Sequence, residues 1–296
     1  MYTTLISAPQ LQTWLASGQP CLVFDCSFDL TQPALGDAQF AQAHIPGALR
    51  ADLNRDLSHH PVAGAAADTP ASGGRHPLPS RAHFAAWLGQ KGLTPATQVV
   101  VYDRQGTHYC GRLWWMLKWA GHEAVAVLDG GLQAWQAEGG AVNSGIANPA
   151  DSSHAHPAVS LPMALAKAQL LTTEGVEKAL GRPTQTIIDA RGAPRFRGEV
   201  EPLDPVAGHI PGALNRPFTQ NFDAQGKFKP AAELRAEFEA LLAGRSPDTV
   251  VHHCGSGVTA TPNIIAMEIA GLGRTALYAG SWSEWCSDPA RPIAQG

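Results

Sequence analysis

Residues 250–260 read VVHHCGSGVTA, and the fold can be built outward from them. The apolar run Thr249, Val250, Val251 predicts a buried strand. It leads through His252 and His253 to Cys254, and then to the small residues Gly255-Ser256-Gly257-Val258-Thr259, which predict a tight loop. The two glycines permit close backbone approach and positive φ. A helical pattern follows, with Pro262 near its first turn, Ile264, Ile265, Met267 and Ile269 as apolar positions, and Gly271 as the stop. Cys254 therefore stands where a strand ends and a helix begins. The first N–H groups of a helix lack internal partners and carry the positive end of its dipole. A loop of small residues can also turn its N–H groups inward as an anion nest. A thiol at that point is expected to ionise more readily than a free cysteine, whose pKa is roughly 8.5. The alternative is a buried packing cysteine; the Gly-Ser-Gly context favours the reactive reading.

Outward from this stretch, the chain repeats itself. Strands are predicted at 21–27, 98–103, 124–128, 184–189 and 276–279, and helices around 84–88, 109–120, 173–180 and 230–242. The turn His44-Ile45-Pro46-Gly47-Ala48 returns as His209-Ile210-Pro211-Gly212-Ala213. Asp25 and Asp189 lie 164 residues apart and the two turn histidines 165; Gly121 and Gly271 lie 150 apart, as do Gly130 and Gly280. The offset falls because residues 55–80 form an extra loop rich in Ala, Gly, Pro and His, and loops this long are often functional. Strand–helix alternation in each half predicts an α/β fold of two tandem domains, each a mainly parallel sheet flanked by helices. The expected division is an N-terminal domain at 1–140, a linker at 141–160 rich in Gly, Ala, Ser, Pro and Asn, and a C-terminal domain at 161–296. At an offset of 151, Cys254 maps onto Asp103 and Gly257 onto Gly106, so the first half keeps the loop but lacks the nucleophile.

Composition narrows the function. The chain has 296 residues, 44% hydrophobic and 16% charged, with a net charge of −4 and no basic block, which argues against a nucleic-acid partner. No apolar run approaches the ~18 residues a membrane helix needs. The N-terminus has neither a basic start nor an apolar core of a signal peptide. Five cysteines (Cys21, Cys26, Cys110, Cys254, Cys286) without regular spacing argue against a disulfide framework and for a reducing compartment, the cytoplasm by default. His252 and His253 have no second ligand pair, so no metal is expected, and no cofactor is expected either.

The loop chemistry discriminates further. His253-Cys254 with Gly257 resembles the signature loop of cysteine phosphatases, which need an arginine six residues after the cysteine to clamp phosphate. That position is Ala260. The loop, the two His-Ile-Pro-Gly turns, Arg112-Leu113-Trp114-Trp115 and Leu128-Asp129-Gly130-Gly131 together resemble the tandem rhodanese-type sulfurtransferases over essentially the whole chain. Within that family, Cys254-Gly255-Ser256-Gly257-Val258-Thr259 is most similar to the mercaptopyruvate enzymes; thiosulfate-preferring members carry basic side chains in the loop.

The resemblance implies that Cys254 takes sulfur from 3-mercaptopyruvate as a persulfide, releases pyruvate, and passes the sulfur to a thiol such as thioredoxin or glutathione, or to cyanide. It implies a catalytic set of Cys254, Ser256 and His76, with Ser256 relaying a proton backed by His76. It implies a substrate set of Arg195, Gly255, Gly257, Val258 and Thr259, in which Arg195 matches the arginine that holds the substrate carboxylate. Arg191 is open between substrate ligand and structural ion pair, and Arg197 between ligand and surface residue. The family's aspartate behind the histidine falls on Asn54 rather than Asp52, and its second carboxylate-binding arginine falls on Leu203. His44 and His209 are expected to be structural. Two further readings stand beside the first: a thiosulfate sulfurtransferase, and a persulfide carrier that hands its sulfur to a partner.

Overall fold

The computed structural model describes residues 1–60, 68–145, 159 and 164–296. The expected linker falls largely on 146–158 and 160, outside the described residues, as do 61–67 of the long loop. The chain divides into two compact units. The first comprises Met1–Thr69, Pro79–Lys167 and Ala224–Lys227; the second comprises Pro70–Leu78, Ala168–Asp223 and Phe228–Gly296. Residues 70–78, placed by sequence in the N-terminal half, thus belong to the second unit.

The first unit holds β1 (Leu5–Ile6), α1 (Ala8–Ala16), β2 (Cys21–Asp25), α2 (Leu35–Gln42), β3 (Leu49–Arg50), α3 (Arg81–Gln90), β4 (Gln98–Tyr102), α4 (Cys110–Trp119), β5 (Val125–Leu128) and α5 (Gly131–Ala137). Its sheet runs β1-β5-β4-β2-β3, every pair parallel. The strands are short and apolar because a parallel sheet is covered on both faces; all five residues of β4 are buried. Helix α1 starts at a capping box in which Ser7 and Gln10 satisfy each other's N–H groups. Helix α4 is buried along its whole length, including Arg112 and Lys118. The Lys118 ammonium lies 4.8 Å from the Trp114 ring and 3.0 Å from Glu123, so a buried cation is matched by a ring face and a carboxylate.

The second unit repeats this order with β6 (Leu170–Leu171), α6 (Thr173–Lys178), β7 (Thr186–Asp189), α7 (Ala193–Phe196), β8 (Leu214–Asn215), α8 (Ala231–Leu242), β9 (Val250–His253), α9 (Thr261–Ile269), β10 (Ala276–Tyr278) and α10 (Ser281–Trp285). Its sheet runs β6-β10-β9-β7-β8, again all parallel. Helix α8 buries Leu234, Phe238 and Leu242, four residues apart on one stripe, each worth about 1.5–3 kcal/mol when fully buried. The two turn histidines play one structural part in both units. His44 stacks on Phe40 at 4.1 Å and its Nδ1 meets the Phe40 carbonyl at 2.8 Å. His209 does the same with Phe196, at 3.8 and 2.8 Å. Both units are therefore α/β with a five-stranded parallel sheet. Among the described residues no helix is long and apolar enough to cross a membrane.

Candidate active site

Open parallel sheets bind ligands beyond the carboxyl ends of their strands. Cys254 lies there, directly after β9, the central strand of the second sheet, and it is buried. Three bonds from one short segment fix its backbone. The Cys254 N–H donates to Ser281 Oγ at 3.1 Å, its carbonyl accepts from Trp282 N at 3.0 Å, and the Gly255 carbonyl accepts from Ser283 N at 2.9 Å. Ser281 is buried and has φ +57, a conformation that costs a non-glycine residue roughly 1–2 kcal/mol. Its hydroxyl in turn donates to the Tyr278 carbonyl at 3.0 Å.

The loop then turns through Gly257, at φ +73, where a Cβ would collide with the Ala279 carbonyl. Glycine is required here both by conformation and by space. Val258 is buried and its carbonyl accepts the N–H and hydroxyl of Thr261, at 3.2 and 2.7 Å, closing the loop onto the start of α9. Thr259 is half-buried beside it.

Segment 70–78 brings two side chains to this loop. His76 Nδ1 lies 2.7 Å from Ser256 Oγ, and both residues are buried. The guanidinium of Arg75 borders Gly255: a Cβ on that glycine would stand 3.1 Å from Arg75 Nη2 and 3.5 Å from Arg195 Nη1. Two arginines therefore converge on the residue after Cys254. The segment is held by Gly73 N donating to Glu284 (3.1 Å) and Arg75 N donating to Ser283 Oγ (3.0 Å).

Carboxylates back these arginines. Glu201 chelates Arg195 at 2.5 and 3.1 Å and also meets Arg191 at 3.1 Å. Asp204 pairs with Arg75 at 2.6 Å and with Arg195 at 3.4 Å. Arg191 itself is built into the unit: it is 1% exposed, bound to Asp189 at 2.7 Å and to the Gly208 carbonyl at 2.7 Å, and stacked on Trp282. The geometry thus favours the ion-pair reading of Arg191 over the substrate-ligand one. Arg197 pairs with Glu199 on the surface at 2.7 Å.

Burial pushes His252 down to about 3, with His253 and Arg216 adding to it. Burial lowers His253 too, against the opposing pull of Asp189 at 3.6 Å. Burial would raise Asp189, but His253 and Arg191 reverse this and hold it below the usual carboxylate range. His252 is thus neutral near pH 7, and among the described residues no group of three or more His, Cys, Asp or Glu is placed to hold a metal.

The first unit shows the same loop with an internal anion. Asp103 follows β4 as Cys254 follows β9, and Gly106 has φ +71. The buried Asp103 carboxylate accepts N–H groups from Gln105 (3.0 Å), Thr107 (2.9 Å), Tyr109 (2.8 Å) and Cys110 (2.9 Å). Asp52, near the expected family aspartate, is engaged inside its own unit, with Arg50 at 3.1 Å and the N–H groups of Asn54 and Arg55.

Reading the sequence singled out Cys254, Ser256, His76 and Arg195, which are gathered here. It missed Arg75, although that residue directly precedes His76. It also missed Ser281, whose one signal is its alignment with Gly131 in the repeat, and the Glu201–Asp204 pair.

A twice-repeated parallel α/β unit, with an anion-binding loop after its central strand and a cysteine heading one copy, defines a class. The model of the rhodanese-like domain matches residues 7–138 and 172–288, and the chain belongs to the rhodanese family. A Pseudomonas aeruginosa protein named "Probable 3-mercaptopyruvate sulfurtransferase" is 45% identical over 99% of this chain and 98% of its own length. The thiosulfate sulfurtransferase of Gallus gallus is 33% identical over 95% and 92%. The solved structure of 3-mercaptopyruvate sulfurtransferase from Leishmania major superposes with a TM-score of 0.78 at 32% identity, covering 96% of this chain and 74% of that one.

Proposed function

We propose that this chain is a sulfurtransferase that moves sulfur from 3-mercaptopyruvate, through a persulfide on Cys254, to a thiol acceptor such as thioredoxin or glutathione, or to cyanide. The observation that carries the reading is the meeting of Cys254, the Ser256–His76 pair and two arginine guanidiniums around one loop. A 2-oxo acid thiol needs those three things: a nucleophile for its sulfur, a polar hydrogen-bonding pair for its carbonyl, and cations for its carboxylate.

Arg75 and Arg195 hold the donor carboxylate. The Cys254 thiolate attacks the donor sulfur, the carbon–sulfur bond breaks, and its electron pair passes to carbon as the enolate of pyruvate. The enolate takes a proton, routed through Ser256 with His76 behind it, and pyruvate leaves. Cys254 then carries an outer sulfur as Cys–S–SH. An acceptor thiolate attacks that sulfur, forms its own persulfide and returns the Cys254 thiolate; cyanide leaves instead as thiocyanate. Loop N–H groups stabilise the charged sulfur as an oxyanion hole stabilises oxygen. The Asp103 loop supports this, because the same scaffold there directs four N–H groups at one anion.

In this reading residues 1–140 form a non-catalytic domain, 141–160 a linker and 161–296 the catalytic domain, to which segment 70–78 adds Arg75 and His76. Five free cysteines favour a cytoplasmic setting. The second reading, thiosulfate as donor, is favoured by the same two arginines, since they supply charge that the loop itself lacks. Steady-state kcat/KM with each donor, using cyanide and a dithiol as acceptors, separates the two. The expected result is a clear preference for 3-mercaptopyruvate that Cys254→Ser abolishes. Thiosulfate preference favours the second reading, and full activity of Cys254→Ser overturns both.

A further inference from the structure

We propose that Asp204 sets the donor's charge class: its carboxylate offsets part of the Arg75–Arg195 charge, so that the site takes a monoanionic donor and discriminates against a dianion such as thiosulfate. The proposal rests on the functional reading above and adds to it a residue that selects the substrate. Three guanidiniums (Arg75, Arg191, Arg195) face three carboxylates (Asp189, Glu201, Asp204) in one connected network, so the cluster is neutral before a donor arrives.

The three carboxylates are not equivalent. Asp189 is spent on Arg191 at the sheet end. Glu201 is anchored, accepting from Leu203 N (3.1 Å) and Asp204 N (3.3 Å) besides its two arginines. The contacts of Asp204 run to Arg75 and Arg195, the two cations that border Gly255. Its side chain is 4% exposed while Arg75 and Arg195 are 28% and 20% exposed, so it lies behind them and the guanidiniums are what an incoming anion meets. Burial, reinforced by Glu201 and opposed by Arg75 and Arg195, raises the Asp204 carboxyl above its ordinary range. The ionised Asp204 carboxylate repels an anion seated on the same guanidiniums, and the repulsion grows with each added donor charge. Position 203, next to it, is a leucine, so no further cation enters at that point.

The test replaces the charge and keeps the shape. Asp204→Asn retains an oxygen for Arg75, and Asp204→Glu retains the charge. A unit charge set behind the arginines, roughly 8 Å from the donor's added charge at an effective dielectric of about 30, is worth roughly tenfold per donor charge. Asp204→Asn should therefore raise the thiosulfate to 3-mercaptopyruvate ratio of kcat/KM about tenfold, acting mainly on KM, and Asp204→Glu should leave the ratio within twofold of the parent. An independent readout is the alkylation of Cys254, followed by mass on its own peptide, with iodoacetate against neutral iodoacetamide. The iodoacetate to iodoacetamide rate ratio should rise several-fold in Asp204→Asn. If both ratios stay flat, or if Asp204→Asn raises KM for both donors alike, Asp204 merely positions Arg75 and the proposal fails. If the parent protein turns over neither donor, the functional reading fails, and the alkylation ratio still decides the charge proposal.

Discussion

Replacing Asp103 with asparagine should destabilise the protein far more than a one-atom change suggests. The carboxylate is fully buried and accepts four backbone N–H groups, two on each oxygen. Asparagine keeps the volume, so no cavity cost enters. It keeps one acceptor oxygen and turns the other into an NH2 that faces two N–H donors. Each buried donor left without a partner costs about 1–3 kcal/mol, or about 2–6 for the pair. The two surviving bonds fall from charge-assisted to neutral, at about 1 kcal/mol each. An expected loss of about 4–8 kcal/mol is a large part of the roughly 5–15 kcal/mol typical of a domain. Urea unfolding monitored by tryptophan fluorescence reads it, fitted as two transitions because the chain has two units. Amide exchange at Thr107, Tyr109 and Cys110 gives the local counterpart and should accelerate by orders of magnitude. A loss under about 1 kcal/mol with exchange unchanged would refute the claim that Asp103 is the anion this loop is built around.

Acid should weaken the fold through His252. An unfolded histidine binds its proton near pH 6.5, whereas burial holds His252 at about 3. Between those values the unfolded chain carries the extra proton, so stability falls as pH falls, by about 2 kcal/mol at pH 5 relative to neutrality. His252→Leu should flatten the slope of stability against pH between 4 and 6 by close to one proton; an unchanged slope would show that His252 protonates in the folded state. For Ser281, glycine should relieve the left-handed strain and alanine should keep it. Both lose the hydroxyl that takes the Cys254 N–H, so kcat should drop about tenfold or more in each, while urea midpoints place Ser281→Gly about 1 kcal/mol above Ser281→Ala. Wild-type kcat in Ser281→Ala would remove the positioning role.

The α/β fold and the duplication were legible because both rest on short-range signals. The apolar run Val99–Tyr102 marks β4, the shorter Val250-Val251 marks the start of β9, and the two His-Ile-Pro-Gly turns mark equivalent places. The edge strands β1, β3, β6 and β8 have two residues each and offer no period to read. Cys254 was legible from its loop, and His76 from its resemblance alone. Arg75 was not, because its importance lies in a contact with Gly255 across 180 residues of sequence, which spacing does not report. Arg191 stayed open in the sequence because an arginine two residues after a strand-end aspartate can reach outward or fold back; here it folds back onto that aspartate. Helix α7 has only four residues, too few for the periodicity that would have set the side-chain directions of Arg195 and Arg197 apart.

The two loops show what one scaffold can be made to do by changing its first residue. A carboxylate has two oxygens on a fixed plane, and at position 103 it meets four N–H groups at once, so the loop is satisfied and closed to outside anions. A thiol has one weakly accepting atom and no charge until it ionises. At position 254 the side chain therefore offers a strong acceptor only as the thiolate. The residues behind the loop differ to match. Gly131 stands at φ +61 where a Cβ would run into the Asp103 carbonyl, and its counterpart Ser281 adopts φ +57 and places a hydroxyl on the Cys254 N–H. The left-handed non-glycine residue thus stands behind the loop in the Cys254 copy, at Ser281, and within the loop in the Asp103 copy, at Thr107 (φ +65), whose N–H is one of the four on the carboxylate.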